Sequence, residues 1–343
     1  MAKLNEHGIS VLMPVHNAGE YLATAVDSIL NQTHQKLELI LIDDHSTDGS
    51  ISKLNKDSRI RIIKSPSKGI VPALNQGIAE AKYSIIARMD GDDISLPNRL
   101  SSQLTTLANT SNKTIVGAKV EIFSDDHEIT HGYRRYERWI NQQVSATHIA
   151  HNFWIESCIP RPTMMMYKSA LTSLGGYQDS PWPEDYDLWC RAHLAGYKFV
   201  KPENDTLLRW RDYSKRTSRV DERYSTDQFL TCKAHYLSKI LLKLQTNQCV
   251  IWGTGPTGSK LHNLLSGYNI DVSAFIDVNL KLAGRKKYGK PIYLIGDNPS
   301  RDDLSVIKPL GLIAVSSWGA REKIRSALLN AGFKELVDFI VVA

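Results

Sequence analysis

Three carboxylates follow one another closely at the end of an apolar run. The run, Tyr83–Met89, is typical of a buried parallel strand, and it leads directly into Asp90, Asp92 and Asp93, which we call the acidic cluster. Carboxylates this close together raise one another's pKa unless a cation holds the charges together. Oxygen ligands of this kind suit a hard divalent ion, and Mg²⁺ commonly completes its shell with substrate phosphates. The segment therefore indicates a metal that carries a diphosphate, with a solvated acidic turn as the simpler alternative.

Other polar residues follow two further predicted strands. The strand Ile9–Val15 is followed closely by Asn17, and the strand Leu37–Ile42 is followed by Asp43 and Asp44. In parallel sheets, ligands bind beyond the carboxyl ends of the strands, where such residues gather at one edge. This shared position favours a functional role for the acidic cluster over a solvated turn.

Apolar strands alternate with amphipathic helices over the first hundred residues. Helices are predicted at Tyr21–Leu30 and Ile70–Lys82, with a further strand at Ile60–Lys64. This alternation is typical of a doubly wound, mostly parallel α/β sheet. From 114 to 208 the pattern changes to short strands and aromatic-rich loops, and Tyr224–Leu244 has the apolar periodicity of a connecting helix.

A second α/β pattern begins after residue 246. The motif Gly253-x-Gly255-x-x-Gly258 lies between a predicted strand, Cys249–Trp252, and a predicted helix, Ser259–Leu265; Asp277 follows Gly258 by 19 positions (277 minus 258). This is the layout of dinucleotide-binding Rossmann domains, in which the acidic residue meets a ribose. The simpler interpretation is a retained fold that packs against the first domain or binds an acceptor, because a fold alone does not establish redox chemistry.

The length of 343 residues accommodates two domains, and we predict an α/β domain at 1–222, a connecting helix at 223–246 and a Rossmann-like domain at 247–343. No apolar run reaches the roughly 20 residues of a membrane helix, and the first residues lack the pattern of a secretory signal. The four cysteines are scattered and indicate reduced thiols, so we expect a cytoplasmic protein without an integral membrane segment. The net charge of +6 mildly favours an anionic partner.

Five segments together resemble the family 2 glycosyltransferases, which have the GT-A fold. They are Met13–Asn17, Leu41–Gly49, Ala73–Gly77, Met89–Asp93 and Pro183–Trp189. Their order and spacing fit the family, whereas a lone Asp-x-Asp would be weak evidence. The resemblance implies a GT-A catalytic domain followed by a smaller Rossmann-like α/β domain.

The resemblance further implies a UDP-sugar donor bound with Mn²⁺ or Mg²⁺. Asp90 and Asp92 would hold the metal on the diphosphate, and Asp44 would accept a hydrogen bond from the uracil ring. The residues that it implies for binding the donor are Pro14, Val15, Asn17, Asp43, Asp44, Asn75, Arg88, Asp90 and Gly91.

For the transfer step, the resemblance assigns the general base to Asp185, with inversion at the anomeric carbon. Asp187 is a rival base, and acidic capping of a helix start is the structural alternative for both carboxylates. The residues expected on the acceptor side or in a closing loop are Glu184, Arg161, Trp189, Arg209, Arg211 and Arg216. The last three lie in a basic, aromatic segment, Leu208–Arg219, which a solvated charged loop would also explain.

Over its whole length the chain resembles a narrower group, the tRNA-queuosine galactosyltransferases and their bacterial relatives. The segments that carry this resemblance are Arg135–Gln142, Arg161–Met166 and Val250–Gly258. It implies UDP-galactose as donor and a hydroxyl of queuosine in tRNA as acceptor. Surface polysaccharide or a lipid-linked oligosaccharide is the alternative acceptor, and a non-catalytic nucleotide-sugar-binding scaffold is the alternative outside enzymes. The oligomeric state stays open.

Overall fold

The computed structural model describes residues 6–203, 205–296 and 299–343. The chain forms two compact units, one of residues 6–150 and 158–222, and the other of residues 151–157 and 223–343. Each unit has a sheet of its own. Among the described residues, no helix combines the length and the apolar character needed to cross a bilayer.

The first unit is built on a seven-stranded sheet with one antiparallel strand. Its strands are β1 (Ile9–Val15), β2 (Leu37–Asp43), β3 (Ile60–Lys64), β4 (Ile85–Arg88), β6 (Thr114–Val116), β8 (Met165–Tyr167) and β9 (Lys198–Val200). They are ordered β3-β2-β1-β4-β8-β6-β9, and β8 runs against both of its neighbours. The doubly wound, mostly parallel sheet predicted from the sequence is therefore confirmed.

A smaller three-stranded sheet lies in the same unit. It consists of β5 (Ile94–Ser95), β7 (Lys119–Phe123) and β10 (Thr206–Arg211), in the order β5-β10-β7. β10 pairs antiparallel with β5, which begins just after the acidic cluster. This pairing brings the start of the basic segment, more than one hundred residues further along the chain, to that cluster.

Helices cover the sheets of the first unit. They are α1 (Tyr21–Leu30), α2 (Ile70–Glu80), α3 (Arg99–Ala108), α4 (His131–Gln142), α5 (Ala146–Asn152), α6 (Lys168–Ser173), α7 (Glu184–Leu194) and α8 (Thr217–Val220). At Gly77, α2 packs closely on the sheet: a Cβ there would lie 3.0 Å from Cδ1 of Ile42, whose side chain would have to shift by a few tenths of an ångström.

The sequence predicted several of these bounds correctly. The bounds of β1, α1 and β3 agree with the prediction. The strand predicted at 83–89 is shorter, at Ile85–Arg88, because the chain leaves the sheet before the acidic cluster begins. The helix predicted at 70–82 ends two residues earlier, at Glu80.

The second unit has a six-stranded sheet flanked by helices. Its elements are α9 (Thr226–Lys243), β11 (Gln248–Trp252), α10 (Pro256–Ser266), β12 (Asp271–Asp277), β13 (Lys286–Lys287), β14 (Lys290–Leu294), β15 (Gly311–Ile313), α11 (Trp318–Asn330) and β16 (Phe339–Val341). The order is β13-β14-β12-β11-β15-β16, and every pairing is parallel except that of β13 with β14.

The helix predicted as a connection, α9, packs within the second unit. The ammonium group of Lys233 on α9 donates hydrogen bonds to the carbonyl oxygens of Ile155 (2.7 Å) and Val342 (3.1 Å). These bonds join α9 both to residues 151–157 and to the end of the chain, which explains why that short segment belongs to this unit.

Candidate active site

The site is positioned by the carboxyl ends of β1, β2 and β4. Val15 at the end of β1 pairs with Asp43 at the end of β2, and Leu12 pairs with Arg88 at the end of β4. The backbone N–H of Asp44 donates to the carbonyl oxygen of Val15 at 2.8 Å, which holds the two loops together beyond the strands. The convergence expected from the parallel strand order is therefore present.

Side chains tie the loop after β1 to the loop after β2. Asn17, which adopts a left-handed conformation with φ 53°, accepts a hydrogen bond from the N–H of Thr47 at 2.8 Å on its Oδ1. Its own N–H donates to Oγ of Ser46 at 3.2 Å. Asn17 is exposed, whereas Val15 at the end of β1 is buried. The loop therefore presents the Asn17 side chain to solvent.

The two carboxylates after β2 are held differently. Asp43 is half-buried and accepts a hydrogen bond from the N–H of Ser46 at 2.8 Å. Asp44 is buried, and its Oδ1 accepts a hydrogen bond from the N–H of Gly69, the residue before α2, at 2.8 Å. Pro14 on β1 is half-buried and pairs with Ile42, the residue before Asp43. Asp44 is thus oriented by a backbone donor that lies 25 residues further along the chain.

The acidic cluster forms a compact set of oxygen ligands. One carboxylate oxygen from each of its three residues lies within 4.8 Å of the others. Oδ2 of Asp92 accepts a hydrogen bond from the hydroxyl of Tyr213 at 3.0 Å, and Oδ1 of Asp93 accepts one from the N–H of Arg211 at 2.8 Å. An all-oxygen, carboxylate-rich set suits Mg²⁺ or Mn²⁺. The residues present therefore fit the metal that the sequence suggested.

Electrostatics distinguish the members of the acidic cluster. Burial raises the pKa of Asp92 above its ordinary value, and the charge of Asp90 raises it further. Burial, together with Asp92 and Asp90, raises the pKa of Asp93 well above its ordinary value. Burial would also raise the pKa of Asp90, but neighbouring guanidinium groups lower it overall, that of Arg161 most. Asp90 is the carboxylate that stays ionised most readily without a metal.

Two guanidinium groups connect Asp90 with the first residue of α7. Nη2 of Arg88 lies 3.3 Å from Oδ1 of Asp90, and Nη1 of the same side chain lies 3.6 Å from Oε1 of Glu184. Nε of Arg161 lies 3.1 Å from Oδ2 of Asp90, and its Nη1 lies 3.9 Å from Oε1 of Glu184. Arg88 and Glu184 are both buried. We call Arg88 and Arg161 the arginine pair; it places the start of α7 beside the acidic cluster.

Asp185 follows Glu184 and belongs to the same charged site. It is 8% exposed, and its Oδ1 accepts a hydrogen bond from the N–H of Tyr186 at 2.8 Å. Burial raises the pKa of Asp185 to about 6, with a further contribution from Glu184, while the arginine pair opposes this rise. A carboxyl group with this pKa is ionised at neutral pH and is a stronger base than an ordinary carboxylate.

The other first-turn carboxylate, Asp187, has a structural role, since both of its oxygens accept hydrogen bonds. Its Oδ1 accepts a hydrogen bond from Nε1 of Trp182 at 2.9 Å, and its Oδ2 accepts one from Nε of Arg191 at 2.7 Å. Arg191 in turn donates to the carbonyl oxygens of Leu174 and Gly176. Asp187 therefore anchors α7 to the preceding loop.

We expect Asp187→Asn to destabilise the fold by about 1–3 kcal/mol, because a buried charge-assisted hydrogen bond to Arg191 is lost. Urea unfolding followed by circular dichroism measures the change. The matched control is Glu121→Gln, which removes the charge of an exposed pair with Arg209 and should cost less than about 0.5 kcal/mol. Equal effects of the two substitutions would show that Asp187 has no anchoring role.

The basic segment, Leu208–Arg219, is largely paired with acidic and aromatic groups. Arg211 is buried, donates to the carbonyl oxygen of Asp92 at 2.7 Å, and forms an ion pair with Asp125. Arg219 pairs with Asp212 at 2.6 Å. Arg216 is 7% exposed, and its guanidinium carbon lies 4.5 Å from the ring centre of Trp210.

The position of Arg216 is electrostatically linked to the acidic cluster. Its positive charge lowers the pKa of all three cluster carboxylates, although other contributions dominate at each of them. A guanidinium stacked on an indole is held in place without consuming its hydrogen-bond donors. Arg216 is thus a cation placed at the acidic cluster.

Three residues predicted for the site have other environments. Trp189 is 1% exposed and packs edge-on against Phe199, and its role on the acceptor side stays a prediction. Both polar atoms of the Asn75 side chain bond the backbone of Tyr177, at 2.8 and 2.9 Å. Arg209 pairs with Glu121.

The sequence reasoning missed the roles of Tyr213 and Asp93. Tyr213 bonds Asp92 although 121 positions separate the two residues, and Asp93 holds the backbone of Arg211 across 118 positions. Arg99, which is wholly buried, supports the same place by donating to the carbonyl oxygens of Arg88 and Pro162. Gly91 lies against α1, where a Cβ would lie 3.4 Å from Leu22. The aromatic character of the basic segment was the available signal for Tyr213.

Comparisons with known proteins identify a family and several relatives of this chain. Residues 10–174 match the model of the family described as "Glycosyl transferase family 2". The chain is 31% identical over 244 residues to "O-antigen biosynthesis glycosyltransferase WbnJ" of Escherichia coli, covering 68% of this chain and 89% of that protein. It is 31% identical over 230 residues to "Putative glycosyltransferase EpsE" of Bacillus subtilis, covering 64% and 78%.

Two solved structures are also similar. The mannosyltransferase PcManGT from Pyrobaculum calidifontis, solved with GDP-Man and Mn²⁺, has a TM-score of 0.49 at 18% identity, covering 77% of this chain and 71% of that one. TarS of S. aureus, residues 1–349, solved with UDP, has a TM-score of 0.49 at 14% identity, covering 67% and 65%.

Proposed function

The chain belongs to glycosyl transferase family 2 and has a GT-A-like α/β fold, and on that premise we propose that it moves a hexose from a UDP-sugar to an acceptor hydroxyl with inversion at the anomeric carbon. We assign this chemistry to residues 1–222, and regard 247–343 as a Rossmann-like domain with which the helix at 223–246 packs. The observation that carries the proposal is the contact of the arginine pair with both Asp90 and Glu184, because it holds the residue before Asp185 beside the acidic cluster, to which we assign the diphosphate.

In the proposed step, Asp185 takes the proton of the acceptor hydroxyl. The acceptor oxygen then forms its bond to the anomeric carbon as the bond from that carbon to the UDP oxygen breaks, and UDP leaves with the bonding electrons. The raised pKa of Asp185, about 6, supports this role, because a base is most effective when its pKa approaches the working pH.

Asp90 and Asp92 would hold the divalent ion, with Asp93 behind them positioning the basic segment through Arg211. Bound there, Mn²⁺ or Mg²⁺ supplies positive charge that stabilises the departing diphosphate. Arg216 would add a second positive charge at the same place. On the donor side, Asp44 would accept from the uracil ring, while Pro14, Val15, Asn17 and Asp43 would shape the base and ribose pocket.

We propose a glycan or lipid-linked saccharide as the acceptor rather than tRNA. One relative is named for O-antigen biosynthesis, which favours polysaccharide synthesis. Two of the arginines expected on the acceptor side or in a closing loop are engaged elsewhere: Arg209 with Glu121 and Arg211 with Asp125. The galactose donor and the queuosine acceptor rest on the sequence resemblance alone.

The test incubates the full chain and Mn²⁺ with UDP-glucose, UDP-galactose or UDP-N-acetylglucosamine, in the presence of total tRNA or of lipid-linked saccharides. Mass spectrometry of both acceptor fractions identifies the transferred sugar. Hexose added to the saccharide fraction alone supports the proposal. Hexose added to tRNA would overturn the acceptor assignment and support the queuosine alternative, whereas no transfer and no UDP release would contradict the enzymatic function.

We expect kcat/KM to fall tenfold per pH unit below about pH 6 and to level off above it, because protonated Asp185 cannot accept the acceptor proton. The comparison variant is Glu184→Gln. Since Glu184 raises the pKa of Asp185, its neutralisation should move the acid limb of the profile to lower pH. If the acid limb lies at the same pH in both proteins, Glu184 does not raise the pKa of Asp185.

A further inference from the structure

The second unit contains a large cavity that the proposed transfer reaction does not use. Its volume is about 1540 Å³, and it lies at the carboxyl ends of β11, β12 and β15. Residues from the ends of all three strands line it, among them Gly253, Asp277 and Ala314. Clefts of this size at such strand ends are where open α/β sheets bind small molecules.

Two glycines of the loop from β11 to α10 are required by the fold itself. Gly253 has φ 118°, and a Cβ there would lie 2.8 Å from the carbonyl oxygen of Ala314. At Gly258, a Cβ would overlap the carbonyl oxygen of Gly253. The first and third glycines of the motif therefore have a structural explanation that needs no ligand.

The second glycine of the motif has no such explanation. Gly255 lines the cavity, has ordinary negative φ (−70°), and a Cβ there would meet no described atom within 4 Å. Gly319, in the first turn of α11, lines the same cavity, and a Cβ there would likewise meet no described atom within 4 Å. The folded protein leaves room for side chains at both positions, and that room opens on the cavity.

Polar groups from both helices and from β12 meet at this cavity. The hydroxyl groups of Thr257 on α10 and Ser316, just before α11, lie 3.0 Å apart and form a hydrogen bond. Among the described residues, neither helix start has a side chain bonded to its first-turn N–H groups. Such N–H groups, with hydroxyl groups beside them, suit phosphate oxygens.

A carboxylate at the end of β12 provides the matching group for a ribose. Asp277 lines the cavity, is half-buried, and accepts hydrogen bonds from the N–H and hydroxyl of Thr254. These bonds fix its position relative to the glycine loop. A carboxylate in this place accepts hydrogen bonds from ribose hydroxyl groups in dinucleotide-binding folds.

From the cavity, the two open glycines, the hydroxyl pair and Asp277, we propose that the second unit binds a nucleoside diphosphate group at a site separate from the acidic cluster. The diphosphate would lie over Gly255 and Gly319, and the ribose would face Asp277. Mononucleotides such as UDP and dinucleotides such as NAD⁺ share this chemistry. Within the described residues, the cavity has no cluster of three or more metal-ligating side chains.

The test uses the full chain in EDTA, which silences metal-dependent binding, and titrates it calorimetrically with UDP, ADP or NAD⁺. We expect one of the three to bind, and the one that binds identifies the carrier of the diphosphate. Hydrogen exchange should show protection at 253–258, 277–279 and 314–320. Gly255→Asp and, independently, Gly319→Asp should weaken binding at least about tenfold, because a carboxylate would then face the diphosphate.

Two controls separate this site from the proposed active site. Gly132→Asp adds the same side chain at a glycine of the first unit, where a Cβ would be in ordinary contact with Oγ1 of Thr130 at 3.8 Å, and should leave binding in EDTA unchanged. Asp92→Ala should likewise leave it unchanged. Thermal unfolding verifies that both cavity variants are folded. No binding of any of the three nucleotides at 5 mM, protection outside the named segments, or binding unaffected in both folded variants would overturn the proposal.

Discussion

Asp185→Asn should lower kcat by about 10²–10⁴-fold while leaving metal-dependent UDP binding unchanged. The amide keeps the size of the carboxyl group and can still accept the hydrogen bond from the N–H of Tyr186. It cannot take the proton of the acceptor. Steady-state transfer measures kcat, and calorimetry with UDP and Mn²⁺ measures binding.

The comparison that makes this result specific is Asp187→Asn, in the same helical turn. Asp187 is bonded by Trp182 and Arg191, so its substitution should lower stability and leave kcat of the folded protein within about threefold. If Asp187→Asn instead abolishes transfer and Asp185→Asn does not, the base is Asp187. If Asp185→Asn transfers at the original rate, the mechanism proposed here is wrong. A scaffold without catalysis would show no transfer in the unsubstituted protein either.

The sequence predicted the edge of the sheet where the site lies, for a simple geometric reason. In a parallel sheet the residues after each strand meet at one edge, so the strand pattern alone brings together Asn17, Asp44 and the acidic cluster. The register of β1 with β2 and β4 bears this out. Local patterns were sufficient because each of these residues is placed by the strand immediately before it.

The contacts that complete the site were beyond local patterns. Arg161 bonds Asp90 across 71 positions and Tyr213 bonds Asp92 across 121, and both depend on how distant segments pack. The environment of Trp189 was beyond local patterns for a related reason. It is four positions after Asp185 on α7, but this helix is buried on nearly every side, so the sequence did not indicate that the indole packs against Phe199. Helical periodicity separates inward from outward faces only when one face is exposed.

Asp92→Ala should abolish the gain in UDP affinity that Mn²⁺ provides, which we expect to be a loss of at least about 100-fold in metal-dependent binding. Asp90 is held by the arginine pair at 3.3 and 3.1 Å, whereas Asp92 is held by the neutral hydroxyl of Tyr213. A cation arriving at the cluster therefore displaces only a neutral donor at Asp92. Asp92→Ala therefore removes the carboxylate whose present hydrogen bond a metal ion replaces most easily.

Calorimetric titration of UDP in Mn²⁺ and in EDTA measures the metal-dependent part directly. The control is Asp126→Ala, which removes an exposed carboxylate of the same unit and should leave both titrations unchanged. Metal-dependent binding that survives in Asp92→Ala would exclude this carboxylate as a ligand. A loss that also appears in EDTA would show that the effect of the substitution is not confined to the metal site. Only a loss confined to the Mn²⁺ titration assigns the metal to Asp92, because the same variant is titrated in both conditions and only the metal differs.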